Sequence, residues 1–224
     1  MPDKSIDLII IDPPYLLNMK GGKKGTSRFS KRLLTLEKEL TEVNLVDGYY
    51  MTILDDLVRL MKVINIYIWC NISQIKSYFD YFIGKLDCSV DILVWNKTNA
   101  MPLFNNKYLS DKEYCLYFRK RGYCNPSCYE NAKTVFYLPT TQKEKKQYGH
   151  PTIKPLSIIE KLVKNSSKDE DTIMDCYLGS GTTGVAVVNV GGNRKFIGIE
   201  INENYYNIAK NRIDEAIKIK EDLK

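Results

Sequence analysis

The chain has 224 residues, of which 44% are hydrophobic and 27% charged, and a formal charge of +6 at pH 7. That is enough for one large domain with a small insertion, 1–224 as a unit, and the moderate basic excess suits a nucleic-acid partner without demanding one. No apolar run is long enough to cross a bilayer and no signal-peptide layout opens the chain, so the sequence reads as cytoplasmic.

In chain order the predicted elements alternate. "IDLIIID" (6–12) is a strand, short and nearly continuous in apolar residues, as a strand buried on both faces should be. "YMTILDDLVRLMKV" (50–63) repeats apolar residues at intervals of three and four and predicts a helix. Strands follow at "INIYIWC" (64–70), "DILVWN" (91–96) and "EYCLYF" (113–118). "LSIIEKLVKN" (156–165) is helical, "TIMDC" (172–176) a strand, "TTGVAVVNV" (182–190) a helix and "FIGIE" (196–200) a sixth strand. "NENYYNIAKNRIDEAIKI" (202–219) closes the series as an amphipathic helix. Strands alternating with helices predict an α/β fold with a mixed, mostly parallel sheet.

Two stretches interrupt the pattern. The Gly- and Lys-rich segment 16–40 predicts a mobile loop, and 121–151, rich in Tyr, Asn, Lys and Pro, predicts an insertion beside the sheet rather than part of it. The six cysteines are scattered, with only Cys124 and Cys128 close together, and His150 is the single histidine. That spacing argues for reduced thiols over a disulfide frame or a zinc site.

The cofactor signal lies in "DTIMDCYLGSGTTGVAVVNV". Gly179, Gly181 and Gly184 form G-x-G-x-x-G between a strand and a helix, and Glu200 ends the next strand about twenty residues on. The glycines permit a tight turn and close approach of a ligand, and the acid can accept hydrogen bonds from ribose hydroxyls. A nicotinamide or flavin dinucleotide is the rival ligand. Asp175, four residues ahead of the first glycine, would repel a pyrophosphate. S-adenosylmethionine, which carries a ribose and an amino-acid tail but no phosphate, fits better.

The first strand runs into Asp12-Pro13-Pro14-Tyr15. In an open α/β sheet ligands bind beyond the carboxyl ends of the strands, and both this tetrad and the glycine turn lie at such ends. The prolines fix the backbone and remove competing amide hydrogens. Asp12 and the Pro13 carbonyl could accept both hydrogens of an amine, while Tyr15 offers a flat face for a base. Two acceptors on an aromatic amine localise its lone pair towards an electrophilic methyl group. No metal is called for. An ordinary Pro-Pro turn is the plainer alternative, and the adjacent cofactor loop weighs against it.

In this order the motifs resemble the amino-methyltransferases of DNA, in the permuted (beta-class) arrangement with the catalytic motif ahead of the cofactor motif. "DPPY" (12–15), "DILVWNKTN" (91–99), "DKEYCLYFRK" (111–120), "HPTIKP" (150–155), "DCYLGSGTTG" (175–184) and "GIEINENYYNIAKNRI" (198–213) carry the resemblance over nearly the whole chain. It implies a Rossmann-like fold and site-specific transfer of methyl groups from S-adenosylmethionine to adenine N6 in DNA, as in restriction–modification. Asp12, Pro13, Pro14 and Tyr15 would hold and activate the amine. Tyr177, Gly179, Ser180, Gly181 and Thr182 would line the cofactor with Asp175. His150 and Lys154 would border its tail, and Glu200 would take the ribose. Segment 121–148 would be a small target-recognition insertion, with Tyr123, Tyr129, Lys133 and Tyr137 on DNA.

Cytosine-N4, RNA or protein-glutamine methylation are rival activities, and a catalytically impaired nucleic-acid-binding remnant is the rival of another class. The aspartate opening the tetrad favours adenine, since the cytosine enzymes more often open with serine. One departure is Cys176-Tyr177, where the family usually has Pro-Phe. The other is that the resemblance implies a seventh strand and a helix ahead of residue 1. Six strands predict an exposed edge beside 196–200, with homodimerisation as one way to cover it.

Overall fold

The computed structural model describes residues 1–15, 51–102 and 106–223. Segment 16–40, predicted as a loop, lies outside the described residues.

The strands are β1 (Leu8–Ile11), β2 (Ile64–Cys70), β3 (Ser89–Lys97), β4 (Lys112–Lys120), β5 (Val135–Leu138), β6 (Thr172–Asp175) and β7 (Lys195–Gly198). They form one sheet in the order β5-β3-β4-β2-β1-β6-β7. β1 pairs in parallel with β2 and β6, β6 with β7, and β3 with β5, whereas β4 runs antiparallel to both neighbours. Six strands therefore point their carboxyl ends to one edge of the sheet, and β4 begins there.

Two expectations are corrected. Among the described residues the sheet has seven strands and not six, and the additional one is β5, inside the segment read as lying beside the sheet. Parallel pairing of Val94–Lys97 with Val135–Leu138 draws that segment into the sheet as its far edge. At the other edge β7 pairs, among the described residues, with β6 alone, as expected of the strand next to Glu200.

Alternation along β1 explains the layering, because successive side chains face opposite sides of a strand. Ile9 and Ile11 pack with Leu54, Leu57 and Leu60 of α1 (Ile53–Leu60), and with Tyr78 and Phe82. The last two belong to α2 (Ile75–Phe79) and to the π-helical turn that continues it, Asp80–Lys85. Leu8 and Ile10 face Ile158, Ile159, Leu162 and Val163 of α5 (Leu156–Ser166) and Ala186 and Val187 of α6 (Thr182–Val190). Two short helices, α3 (Tyr129–Ala132) and α4 (Gln142–Tyr148), flank β5, and α7 (Glu203–Asp222) closes the described chain. The result is a helix–sheet–helix sandwich. All six cysteines are unbonded. Among the described residues no helix is long and apolar enough to cross a membrane.

Candidate active site

The direction of the strands assembles the site. Asp12 follows β1, Asp175 ends β6, Glu200 lies two residues beyond β7, Lys97 ends β3 and Glu113 is the second residue of β4. All therefore fall on one edge of the sheet. A cavity of about 180 Å³ at that edge is lined by Asp12, Pro14, Trp69, His150, Lys154, Asp175, Tyr177, Gly179, Ser180, Thr182 and Glu200.

The glycine turn is shaped by two left-handed residues. Gly179 has φ +52° and Gly181 φ +81°. A Cβ on Gly179 would stand 3.0 Å from His150 Nε2, and one on Gly181 would stand 2.8 Å from the Ala209 backbone. Gly184 serves packing: a Cβ there would lie 2.3 Å from Ile213 Cδ1, so it lets α6 approach α7. Glu200 clamps the turn. Its Oε2 accepts from the Gly179 amide at 2.7 Å and its Oε1 from the Asn202 amide at 2.9 Å. Ser180, buried, gives its carbonyl to Arg212 of α7 at 2.5 Å.

Two titratable groups under the turn are perturbed by burial. Asp175 accepts from the Tyr177 amide at 3.0 Å and from Thr183 Oγ1 at 2.6 Å. Burial pushes its carboxyl up to about 7 in spite of those bonds. His150 is pushed down to about 4, chiefly by burial. Its Nδ1 accepts from the Thr152 amide at 3.2 Å, and its ring lies 4.3 Å from that of Tyr205. The imidazole is thus neutral and borders the glycine turn at Gly179.

The proline tetrad is closed on itself. Asp12 Oδ1 accepts from the Tyr15 hydroxyl at 2.9 Å, and Asp12 Oδ2 from Lys154 Nζ at 2.5 Å. Burial and the adjacent Asp12 carboxylate raise the Tyr15 hydroxyl well above its ordinary value, so it stays a donor. Pro13 is buried, and the Pro14 carbonyl accepts a long bond, 3.4 Å, from Gln74 Nε2. Lys154, only 8% exposed in its side chain, also stands 3.3 Å from Glu113 Oε2, and Lys97 lies 2.6 Å from Glu113 Oε1. Burial opposes the charge on Glu113, but Lys154 and Lys97 outweigh it and hold the carboxyl at about 2. The Lys154 ammonium lies 5.2 Å from the Trp69 ring centre and 5.4 Å from that of Tyr15, over the ring faces.

The expected site residues are thus brought together, with a change of emphasis. Lys154 was assigned to the cofactor side, yet its hydrogen bond is to the tetrad aspartate. Asp12 was read as an acceptor open to an amine, yet both of its oxygens are engaged. Lys97, Glu113, Trp69 and Gln74 were missed. The signal for two of them was a lysine just after "DILVWN" and an acid heading "EYCLYF". Trp95 opposes Glu113 across the β3–β4 pair.

The four residues expected on DNA are divided. The Tyr123 carbonyl is bonded by Tyr117, and Lys161 of α5 reaches the carbonyls of Glu130 and Lys133. Tyr123 and α3 therefore sit towards the amino edge of the sheet, opposite the cavity. Tyr137 lies on β5 and is exposed.

The cavity suits a ligand with positive charge. Among the described residues three carboxyl groups and one lysine line it, and the lysine is tied to Asp12. Among the described residues no arginine lines it. A parallel-centred sheet with one reversed strand, a glycine turn clamped by the acid of the next strand end and a proline tetrad on the neighbouring strand define a Rossmann-like methyltransferase fold. The comparisons give the family: the sequence model for DNA methylases matches residues 6–211, and the chain belongs to that family. It is 30% identical over 238 residues to the type II methyltransferase M2.LlaDCHI of Lactococcus lactis subsp. cremoris, covering 95% of this chain and 84% of that one. With M.HinfI of Haemophilus influenzae it shares 28% identity over 96% of this chain and 65% of the relative. Among solved structures, the M1.HpyAVI–SAM complex superposes with a TM-score of 0.65 at 26% identity, over 93% of this chain and 89% of that one. The cytosine-N4-specific PvuII DNA methyltransferase has a TM-score of 0.67 at 14% identity, over 98% and 86%, and shares the fold.

Proposed function

We propose that this chain transfers a methyl group from S-adenosylmethionine to the exocyclic N6 amine of adenine in DNA. The observation that carries the reading is the placement of the Asp12 carboxylate on the same cavity as the glycine turn clamped by Glu200. Gly179 and Gly181 leave room for the donor, Glu200 keeps lone pairs for ribose hydroxyls, and Asp175 supplies a carboxyl that a bound cation would ionise. When bound, S-adenosylmethionine supplies a sulfonium-borne methyl group, so that an N–C bond forms as the C–S bond breaks and the nitrogen sheds one proton.

Asp12 orients the amine by accepting one hydrogen, with the Pro13 carbonyl accepting the other, and Tyr15 stacks on the base. The amine of a stacked, paired base cannot reach a pocket from inside a duplex, so the target nucleotide is extruded. Segment 121–148 contributes DNA contacts through its cavity-side part, β5 and α4. The edge of β7, which among the described residues pairs with β6 alone, is the surface for a homodimer. Cytosine-N4 methylation would use the same geometry, and the aspartate opening the tetrad is what favours adenine.

The test is to map modified bases in DNA from cells expressing the chain or its Asp12→Ala variant. Methylated adenines at one recurrent sequence, absent with the variant, are expected. Unmodified DNA, or methylated cytosine alone, would refute the assignment.

A further inference from the structure

Both oxygens of the tetrad aspartate are already engaged, Oδ2 by a charged donor that would face an incoming amine. An incoming N–H would meet the Lys154 ammonium 2.5 Å from Asp12 Oδ2, and two donors facing each other repel. Lys154 must withdraw, and it is too buried to withdraw into water. A buried ammonium without a partner would be costly. Among the described residues Glu113 offers the place for it. Glu113 Oε2 is buried and already faces Lys154 Nζ as an ion pair at 3.3 Å, longer than the 2.5 Å bond from Lys154 to Asp12. Glu113 is itself fixed, because Lys97 holds the other oxygen at 2.6 Å.

Resting on the methyltransferase reading, we propose that Glu113 is a positioning residue that receives Lys154 when the target amine arrives, so that Lys154 alternates between Asp12 and Glu113 and thereby frees Asp12. The movement is small. Closing 3.3 Å to an ordinary charge-assisted distance of about 2.8 Å needs only a turn of the lysine's last torsions. The set of Lys97, Lys154, Glu113 and Asp12 balances two positive with two negative charges in either position, so no net charge moves. Tyr15 leaves Oδ1 in the same event, because a ring that stacks on the base cannot keep its hydroxyl on Asp12.

The experiment compares the full chain with Glu113→Gln, Glu113→Asp and Lys97→Met. It measures turnover on DNA, KM for DNA, cofactor affinity by calorimetry and melting temperature. Glu113→Gln keeps the shape but not the charge. Its kcat should fall roughly tenfold to a hundredfold, the scale of a misplaced reacting group, with KM and cofactor affinity held, while the melting temperature falls as Lys97 and Lys154 lose a carboxylate. Glu113→Asp should restore part of the rate. Lys97→Met, which leaves Glu113 charged but unfixed, should fall between. Wild-type kcat in Glu113→Gln would overturn the proposal. So would a parallel fall of rate, cofactor affinity and melting temperature in all three variants, which marks a merely structural ion cluster. A wild-type chain that methylates no DNA fails the underlying reading instead, and that result is distinct from an active wild type with an equally active Glu113→Gln.

Discussion

Asp12 and Lys154, 142 positions apart, share a 2.5 Å hydrogen bond on the cavity that the glycine turn also lines. The bond ties the end of β1 to the segment entering α5, so the proline tetrad and the HPTIKP segment form one unit.

Removing the carboxylate tests that unit. Asp12→Ala should abolish methyl transfer while cofactor affinity stays near wild type, since the glycine turn is held by Glu200 and Arg212. Stability should fall by less than the about 3–5 kcal/mol of a stranded buried charge, because Lys154 keeps Glu113. Tyr15→Phe should retain most activity, as the ring face remains. Tyr15→Ala should lose it strongly. Turnover assays with calorimetry separate these outcomes, and normal turnover in Asp12→Ala would contradict the assigned role.

Glu200→Ala strips the partner from two amides, those of Gly179 and Asn202. The expected cost to cofactor binding is about 1–3 kcal/mol, through unpaired donors on protein and ligand alike. Titration calorimetry reads it directly, and an unchanged dissociation constant would remove Glu200 from the site.

Asp175 and His150 set opposite pH slopes. The Asp175 carboxyl rises from 3.8 to about 7 on folding, so the folded chain holds the proton more tightly. Its contribution to stability is full below pH 3.8 and is lost as pH rises towards 7. His150 falls from 6.5 to about 4, so its contribution is full above pH 6.5 and is lost as pH falls towards 4. Asp175→Asn should therefore lose stability more steeply on acidification than wild type, and His150→Gln less steeply. Denaturant unfolding at pH 5 and pH 7 measures both. A cationic ligand should also ionise Asp175 and bind more tightly at pH 8 than at pH 6, an effect that Asp175→Asn removes.

The glycines separate backbone strain from collision. Gly149 has φ +63° with open space where a side chain would be, so Gly149→Ala should cost about 1–2 kcal/mol from the left-handed backbone alone. Gly181→Ala adds a contact of 2.8 Å with the backbone of Ala209 and should cost clearly more, with weakened cofactor binding. Equal melting temperatures for the two variants would show that the turn relaxes around a side chain.

Much of this architecture was legible because it is local. β2 coincides with the predicted 64–70, and α6 with 182–190, since an unbroken apolar run and a glycine-started helical repeat are contiguous signals. The tetrad and the glycine turn were readable for the same reason. β5 was not. It is four residues long, alternates in exposure within a Tyr- and Lys-rich segment, and exists as a strand through its pairing with β3 about forty residues earlier. Glu113 and Lys97 escaped for a related reason: each is an ordinary charged residue at a strand end until the β3–β4 pairing sets them side by side. The engagement of Asp12 by Lys154 depends on the sheet order and not on any motif.

The most direct test is to incubate the purified chain with duplex DNA and S-adenosylmethionine carrying a deuterated methyl group, then to hydrolyse the DNA and weigh its nucleosides. Deuteromethyl label on the N6 of deoxyadenosine, absent with Asp12→Ala, is the predicted result. Label on the N4 of deoxycytidine alone, or none on DNA from a folded chain that binds the donor, would contradict it.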